Sequence, residues 1–441
     1  MRVLVISSHF PPEPVIGSVR PSRIASFLRS QGHHVIALTK GGPWGRDRGD
    51  GSDVVRTPWI RLPILRYIRP GLITQAPPPP AVGAQGSGGG PLGRARKWIS
   101  RLAHELLSFP DQEGGWIPFA YLEGGRILAD EKIDVILASG PSFASHLIAS
   151  ALARRYSVPW VADYRDLWTT GDYYAFSSLR RRIDSRVERR ILAGASATTA
   201  IGDTMARHLT ERFSISSTVV RNGADDVTLR PLGQRVPLSS ARVNLLYVGN
   251  NFYGGRRSPL LLFRAARALS LTPSEIRFHF LGSDPDLLAT IIDAEGVRQL
   301  VQFHDPVGHD ESLEIQGCAD MLILLLWDDP REAGTLPAKL FEYAAARRPV
   351  VLVGYVHGEA AHVVKDNRLG WMVDDLESAC EVMVQVLRTK PSASLLADLP
   401  EAKQLSRKGQ LKILEGVLCA VADSGSSNVR GAQSKDEPSG S

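Results

Sequence analysis

The chain has 441 residues, with 52 Lys or Arg against 46 Asp or Glu, a net charge of +6. That length supports two domains, each with its own core. Three scattered cysteines (Cys318, Cys380, Cys419) and no CxxC pair exclude a disulfide framework and a zinc ribbon, and a reducing cytoplasm fits; the longest apolar run, Met321 to Trp327, is far too short to span a bilayer.

MRVLVISSHFPP lacks the long apolar core of a signal peptide and is expected to form a first strand, Arg2 to Ser7. A helix from Val19 to Gln31, a strand from His34 to Thr39, a strand–helix pair at Val135 to Ser139 and Phe143 to Tyr156, and strands at Trp160 to Asp163 and Ala197 to Ile201 follow. This alternation predicts a doubly wound parallel sheet over 1–222. An insertion at 75–93, QAPPPPAVGAQGSGGGPLG, cannot pack a core and reads as a mobile loop. The next segment, RARKWISRLAHELLSF, places Trp98, Leu102 and Leu106 on one stripe with Arg94, Arg96, Lys97 and Arg101 off it. Two readings stand for this basic amphipathic helix: it packs on its own domain, or it lies on a membrane surface.

The segment 223–240 reads as an interdomain linker. A second α/β domain is expected over 241–403, with strands at Val243 to Val248, Arg277 to Leu281, Val301 to Phe303, Met321 to Leu326 and Val350 to Val353. A helix at Leu260 to Leu269 follows the first of these strands. A last helix, 404–422, is expected to pack back on the first domain, and 423–441, Ser/Gly-rich without apolar period, is expected to be disordered. Charge divides unevenly: residues 1–222 hold 29 basic and 18 acidic side chains, the remainder 23 and 28. A basic first half points to an anionic partner, such as a lipid phosphate or a membrane surface; incidental surface charge is the plainer reading.

The richest motif is Gly334 to Leu352, GTLPAKLFEYAAARRPVVL. A small turn at Gly334 and Thr335 opens a helix, with Lys339 and Glu342 on neighbouring turns. The helix N-terminus at Thr335 to Pro337, with its positive dipole end and free N–H groups, suits a diphosphate; Lys339 adds a full charge, and Glu342 can accept from the hydroxyls of a ribose. From spacing alone, a plain amphipathic helix with a solvated Lys–Glu pair is the favoured reading. Gly249 to Arg257, GNNFYGGRR, puts glycines and paired arginines after a strand; Arg256 is the first choice for phosphate contact and Arg257 the second. After the first strand come Ser7-Ser8-His9-Phe10-Pro11-Pro12-Glu13 and then Gly17, where a ligand can approach the backbone; the two prolines also stiffen a turn. Asp163-Tyr164-Arg165-Asp166-Leu167-Trp168 leaves another strand end, as an ion-pair cluster or as an acceptor site.

Several of these segments resemble the retaining glycosyltransferases of family four, which have the GT-B fold. Pro337, Lys339, Glu342, Tyr343, Ala345 and Pro349 follow the P-x-K-x-x-E-Y-x-A-x-x-x-P pattern of their donor site. Gly334 stands where many relatives carry a first glutamate, and Glu332 is out of register with it. Pro11-Pro12-Glu13 with Gly17 resembles their cleft loop, Asp163 to Trp168 the D-Y-R-D-x-W segment of bacterial cell-surface members, Asn222-Gly223 their hinge, and Asp305 to Gly308 the loop whose backbone reads the base. Phe109-Pro110-Asp111 and Trp116 match a further segment of unassigned role.

The resemblance implies two Rossmann-like domains facing across a cleft. It implies Lys339, Arg256 and Asp166 as catalytic residues. It makes Gly17, Arg257, Gly282, Val307, Thr335, Leu336 and Glu342 donor-binding, and places His9 and Arg165 beside the acceptor. The substrates would be a nucleoside-diphosphate sugar and a glycan or polyprenyl-phosphate-linked acceptor, used at the inner face of the plasma membrane for cell-envelope polysaccharide. No cofactor or metal is expected, and no nucleic-acid partner. Two alternatives are a nucleotide-sugar epimerase of the same fold and a donor-binding scaffold without activity.

Overall fold

A computed structural model describes residues 1–13, 15–41, 45–47, 53–60, 105, 108–171, 174, 176–225, 238–250, 252–389 and 405–433. The predicted loop 75–93, all of the basic amphipathic segment except Glu105, Ser108 and Phe109, and most of the predicted linker lie outside the described residues. The chain divides into two compact units, Met1–Val220 with Leu411–Ser441, and Arg221–Gln410.

In chain order the first unit holds β1 (Arg2–Ile6), α1 (Val19–Ser30), β2 (His34–Lys40), β3 (Gly45–Asp47), β4 (Asp53–Thr57), α2 (Ile117–Asp130), β5 (Val135–Gly140), α3 (Ala144–Tyr156), β6 (Trp160–Tyr164), α4 (Ser178–Ala193), β7 (Ala197–Ala200), α5 (Asp203–Phe213) and β8 (Ser217–Val219). The strands order as β3-β4-β2-β1-β5-β6-β7-β8, all parallel except the β3–β4 pair. Side chains alternate across β1 with period two. Leu4 and Ile6 pack with Ile148 and Leu152 of α3, whereas Val3 and Val5 pack with Ile24 and Leu28 of α1. Strands buried on both faces need continuous apolar runs, and RVLVI and HVIAL supply them.

The second unit holds β9 (Val243–Val248), α6 (Leu260–Ala268), β10 (Ile276–Leu281), α7 (Asp286–Glu295), β11 (Val301–His304), α8 (His309–Cys318), β12 (Met321–Leu325), α9 (Ala338–Ala345), β13 (Val350–Val353), α10 (Glu359–Asp366), β14 (Gly370–Val373) and α11 (Leu376–Thr389). Its sheet, β11-β10-β9-β12-β13-β14, is parallel throughout. Met321, Ile323 and Leu325 enter one core layer, Leu322 and Leu324 the other.

α12 (Arg407–Gln433) begins in the second unit, and from Leu411 the chain belongs to the first. Leu411, Leu414, Leu418 and Val421 line one stripe of α12 and join Val3, Val5, Ile24 and Leu28 in a single core layer. The helix continues past Asp423 to Gln433, so the disorder expected from 423 onward is replaced by helix over its first part. A second expectation is also corrected: the helix of the Lys339 motif starts at Ala338, not at Thr335. Pro337 is extended at φ −64° and ψ 138°, and a proline disfavours helical backbone in the residue before it. Among the described residues, no helix is long and apolar enough to cross a membrane.

Candidate functional site

Ligands of open parallel sheets sit beyond the carboxyl ends of the strands, and the candidate residues of the second unit gather at those ends. Lys339 is the second residue of α9, and no side chain caps that helix's N-terminus. Its ammonium stands 4.6 Å from the centre of the Tyr247 ring at the end of β9. Gly249 follows β9 with φ +100°, and a Cβ there would lie 2.8 Å from Lys339 Nζ. The left-handed backbone there favours glycine, and a side chain at that position would displace the lysine's ammonium. Lys339 forms no hydrogen bond or ion pair among the described residues. Burial lowers its pKa to about 8; Glu342 counters this and Arg257 reinforces it. Burial likewise raises the Glu342 carboxyl, against the pull of His309, Lys339 and Arg407. A desolvated cation without a bonded partner is held ready for an anion.

The two arginines of the β9 loop part company. Arg257 is engaged by the protein: its Nη2 donates to both carboxylate oxygens of Glu332, at 2.9 and 3.2 Å. Glu332 is 1% exposed, so this carboxylate is internal and does not stand in for the glutamate missing at Gly334. Arg256 instead lies on the Trp327 ring at 4.4 Å, with Arg331 also against that ring at 4.1 Å, and the buried Arg256 Nη1 has no hydrogen-bond partner among the described residues. Arg256 is the better phosphate candidate of the two. The Thr335 N–H is taken by Glu332 O at 2.8 Å, inside the turn that precedes α9. Leu336 is buried in the core beneath the helix.

Gly282 and Val307 occupy abutting loops after β10 and β11: Gly282, at φ +70°, has space for a Cβ only 3.5 Å from Pro306. A polar chain anchors the second of these loops, with His304 Nε2 2.9 Å from His279 Nδ1 and His279 Nε2 3.0 Å from Asn244 Oδ1. Burial lowers His279 to about 4, so this chain is neutral at pH 7. The triplet Asp284-Pro285-Asp286 opens α7, its first carboxylate accepting from Asp286 N at 3.0 Å. Among the described residues, no three His, Cys, Asp or Glu side chains group as a metal cage.

The first unit gathers His9, Gly17, Arg165 and Asp166 at the ends of β1, β5 and β6. Gly17, predicted as donor-binding, belongs here: a Cβ on it would meet the His9 ring at 3.3 Å, and its carbonyl accepts from Arg165 Nη1 at 2.7 Å. Arg165 also donates to Gly140 O at 2.7 Å and Pro141 O at 2.6 Å, so it clamps three loop ends. Asp163 is wholly buried. Arg20 donates to it twice, at 3.0 and 2.7 Å, and Ser139 and Thr199 each at 2.7 Å. Burial opposes ionisation, but Arg20 and the hydroxyls prevail and lower its pKa to about 2. Of the two readings of the D-Y-R-D segment, Asp163 and Arg165 fit the structural ion-pair and clamp reading. Asp166, one residue beyond Arg165, is half-buried.

Sequence reasoning missed the neighbours of His9. Its Nδ1 is 2.8 Å from Glu13 Oε2, and Lys40 Nζ donates to Glu113 Oε1 at 2.8 Å while lying 4.5 Å from the Trp59 ring. Lys40 ends β2, and the strand-end rule alone would have flagged it.

The comparisons bear on this arrangement. Residues 17–223 match the family model of the glycosyl transferase 4-like domain, and residues 242–389 match that of glycosyl transferases group 1. The chain belongs to the glycosyltransferases. Its two parallel-sheet units form the GT-B fold, shared with solved structures at low identity. A glycosyltransferase from Rickettsia africae ESF-5 is 13% identical, with TM-score 0.60, over 95% of this chain and 98% of that one. Anabaena Alr3699/HepE in complex with UDP and glucose is 12% identical, with TM-score 0.59, over 95% and 100%. The lipopolysaccharide outer core galactosyltransferase WaaB in its apo form is 13% identical, with TM-score 0.56, over 95% and 99%. Comparison with curated protein sequences finds no match. In this glycosyltransferase the motif lysine and the better-placed arginine both lie in the half matched by the group 1 model.

Proposed function

We propose that this glycosyltransferase transfers a sugar, with retention of configuration, from a nucleoside-diphosphate sugar to a glycan or polyprenyl-phosphate-linked acceptor of the cell envelope, at the cytoplasmic face of the membrane. The observation that carries the reading is Lys339: a half-buried ammonium that makes no hydrogen bond or ion pair among the described residues, at a helix N-terminus, beside a glycine that leaves room for a phosphate. Anabaena Alr3699/HepE, of the same fold, was solved with UDP and glucose, which supports a nucleotide-sugar donor.

In this reading the diphosphate lies across Gly249 and the start of α9, with Lys339 and Arg256 on its oxygens and Glu342 on the ribose hydroxyls. The Asp305 to Gly308 loop meets the base. Breaking the anomeric C–O bond puts a second negative charge on the terminal phosphate of the departing diphosphate. Lys339, Arg256 and the N–H groups of α9 answer that charge where it develops, so a divalent ion has no required part. The acceptor hydroxyl attacks from the same face. Its proton passes to the departing phosphate oxygen, and its oxygen forms the new glycosidic bond. Asp166 and His9 orient the acceptor, with Arg165 and Gly17 as the frame behind them.

A panel of nucleotide sugars tested for a rise in melting temperature identifies the donor, because ligand held only by the folded state stabilises it. The same panel on Lys339→Met is expected to show no rise; an unchanged rise would remove Lys339 from the site. A second reading, donor binding without transfer, draws on Gly334 and on the commitment of Glu332 to Arg257. Labelled donor incubated with membrane lipid extract separates the two, since the second predicts a stabilised protein and no labelled product.

A further inference from the structure

The helix α4, SLRRRIDSRVERRILA, is inside out. Its buried face is built from Arg180, Asp184, Glu188, Ile191 and Leu192. Arg180 bonds Asp184 Oδ1 at 2.6 Å and Ser108 O at 3.0 Å, and Tyr174 donates to Asp184 at 2.7 Å. Glu188 accepts from Tyr164 at 3.1 Å and from the backbone and hydroxyl of Thr169. Both acids of the helix are thus turned inward and are fully buried. Two of its large apolar residues do the reverse, Leu179 at 68% exposed and Ile183 at 48%, while Ile191 and Leu192 near its end stay buried.

At 3.6 residues per turn, Leu179, Arg182, Ile183, Arg186, Arg189 and Arg190 fall within one arc of about 120°. All six are exposed. The arc carries four arginines, two branched apolar side chains and no acid. Arg182, Arg186 and Arg190 form an i, i+4 row of like charge, which weakens a helix in isolation. A face that sets apolar residues in water among mutually repelling cations matches the charge and the apolar depth of an anionic lipid surface.

We infer that the exposed face of α4 docks the first unit on a membrane surface rich in anionic phospholipid, with Leu179 and Ile183 entering the acyl boundary and Arg182, Arg186, Arg189 and Arg190 on the headgroup phosphates. The inference deepens the reading of a membrane-borne acceptor and rests on it for its purpose; the face itself is independent of the donor chemistry.

The test is flotation of the full chain with vesicles of phosphatidylcholine alone and of phosphatidylcholine with phosphatidylglycerol. The wild type is expected to float only with the anionic vesicles, and less as salt rises. Arg182→Gln with Arg186→Gln is expected to bind them roughly thirtyfold more weakly. Leu179→Ser with Ile183→Ser should weaken binding roughly tenfold, with the residual binding more sensitive to salt. Lys365→Gln with Lys408→Gln, a charge-matched control in the second unit, should bind as wild type. All variants keep their α4 core contacts and should melt as wild type. Equal binding by wild type and both α4 variants would overturn the proposal, as would flotation with phosphatidylcholine alone. So would a dimer in solution that Ile183→Asp dissolves, which would show the face to be a self-association surface. Donor-induced melting shifts, read in parallel, separate the two readings: loss of vesicle binding with the donor shift intact removes the α4 surface alone, and vesicle binding without a donor shift removes the transferase reading alone.

Discussion

At the carboxyl edge of the first sheet, Asp163 and Arg165 are buried and answered by the protein: four hydrogen bonds reach the carboxylate, and three backbone carbonyls take the guanidinium. At the same edge of the second sheet, Lys339 is half-buried and makes no hydrogen bond or ion pair among the described residues, with the face of Tyr247 against it and Glu342 as its nearby carboxylate. Burying a charge is costly unless it is paired. One edge has met that cost within the fold, while the other leaves more of it standing. A charged residue at a strand end is therefore a weak pointer to function by itself. What decides is whether its donors and acceptors are already engaged.

The comparison breaks first at Asp163. Asp163→Asn strands Arg20 and should cost about 3–5 kcal/mol in denaturant unfolding, with donor-induced stabilisation of the folded remainder intact. The wild-type contribution has a defined pH window. The Asp163 carboxyl is held at about 2 in the folded chain. The stability it adds is complete above its ordinary value near 4 and is lost as pH falls through about 2. Acid titration of stability should lose this component in Asp163→Asn; an unchanged acid limb would count against the ion pair.

Lys339→Met should do the opposite. Removing a half-buried charge without a bonded partner should leave the ligand-free protein as stable as wild type or more so, while kcat/KM falls by about 10²–10³. Steady-state kinetics and a melting curve read both signs on one variant, and a destabilised variant would refute the contrast. Arg165→Met releases three carbonyls and should cost about 1–3 kcal/mol in stability; a fall in activity with no change in stability would instead make Arg165 a ligand contact.

The smallest effect concerns pH. Lys339 titrates at about 8 in the folded chain, below its ordinary 10.5. Between those values the unfolded chain holds a proton that the folded one has lost, so the stability of the ligand-free protein rises with pH. Donor affinity should move the other way, falling up to about tenfold per pH unit above 8 as the phosphate loses its cation. Calorimetric titration across that range should also show proton uptake on binding, and affinity flat to pH 10 would sink the assignment.

Most strands were legible because both cores demand apolar runs, and RVLVI, HVIAL, VNLLYV, MLILL and VVLV supply them. Short β3 and β8, and β14 (GWMV) with its exposed half, carry too few such residues to stand out. The helix α4 was illegible for a physical reason: its inward face is ionic and part of its outward face apolar, which inverts the pattern that marks a helix. The Lys339 motif was readable as a pattern and by resemblance. The split between Arg256 and Arg257 was not, because it depends on Glu332 approaching from a turn some 75 residues later. The clamp made by Arg165 was equally hidden, since its partners are carbonyls and any residue supplies those.

One consequence follows from α12, whose leucines finish the core begun by Val3 and Val5. β1 and α12 contribute to one lobe, and the second unit is threaded between them as a cassette from Arg221 to Gln410. On the proposed donor site, grafting that stretch from a related enzyme would transplant donor preference while the host lobe keeps its own hydrophobic closure. Clipping the C-terminus before Leu411 would injure the lobe at the opposite end of the sequence.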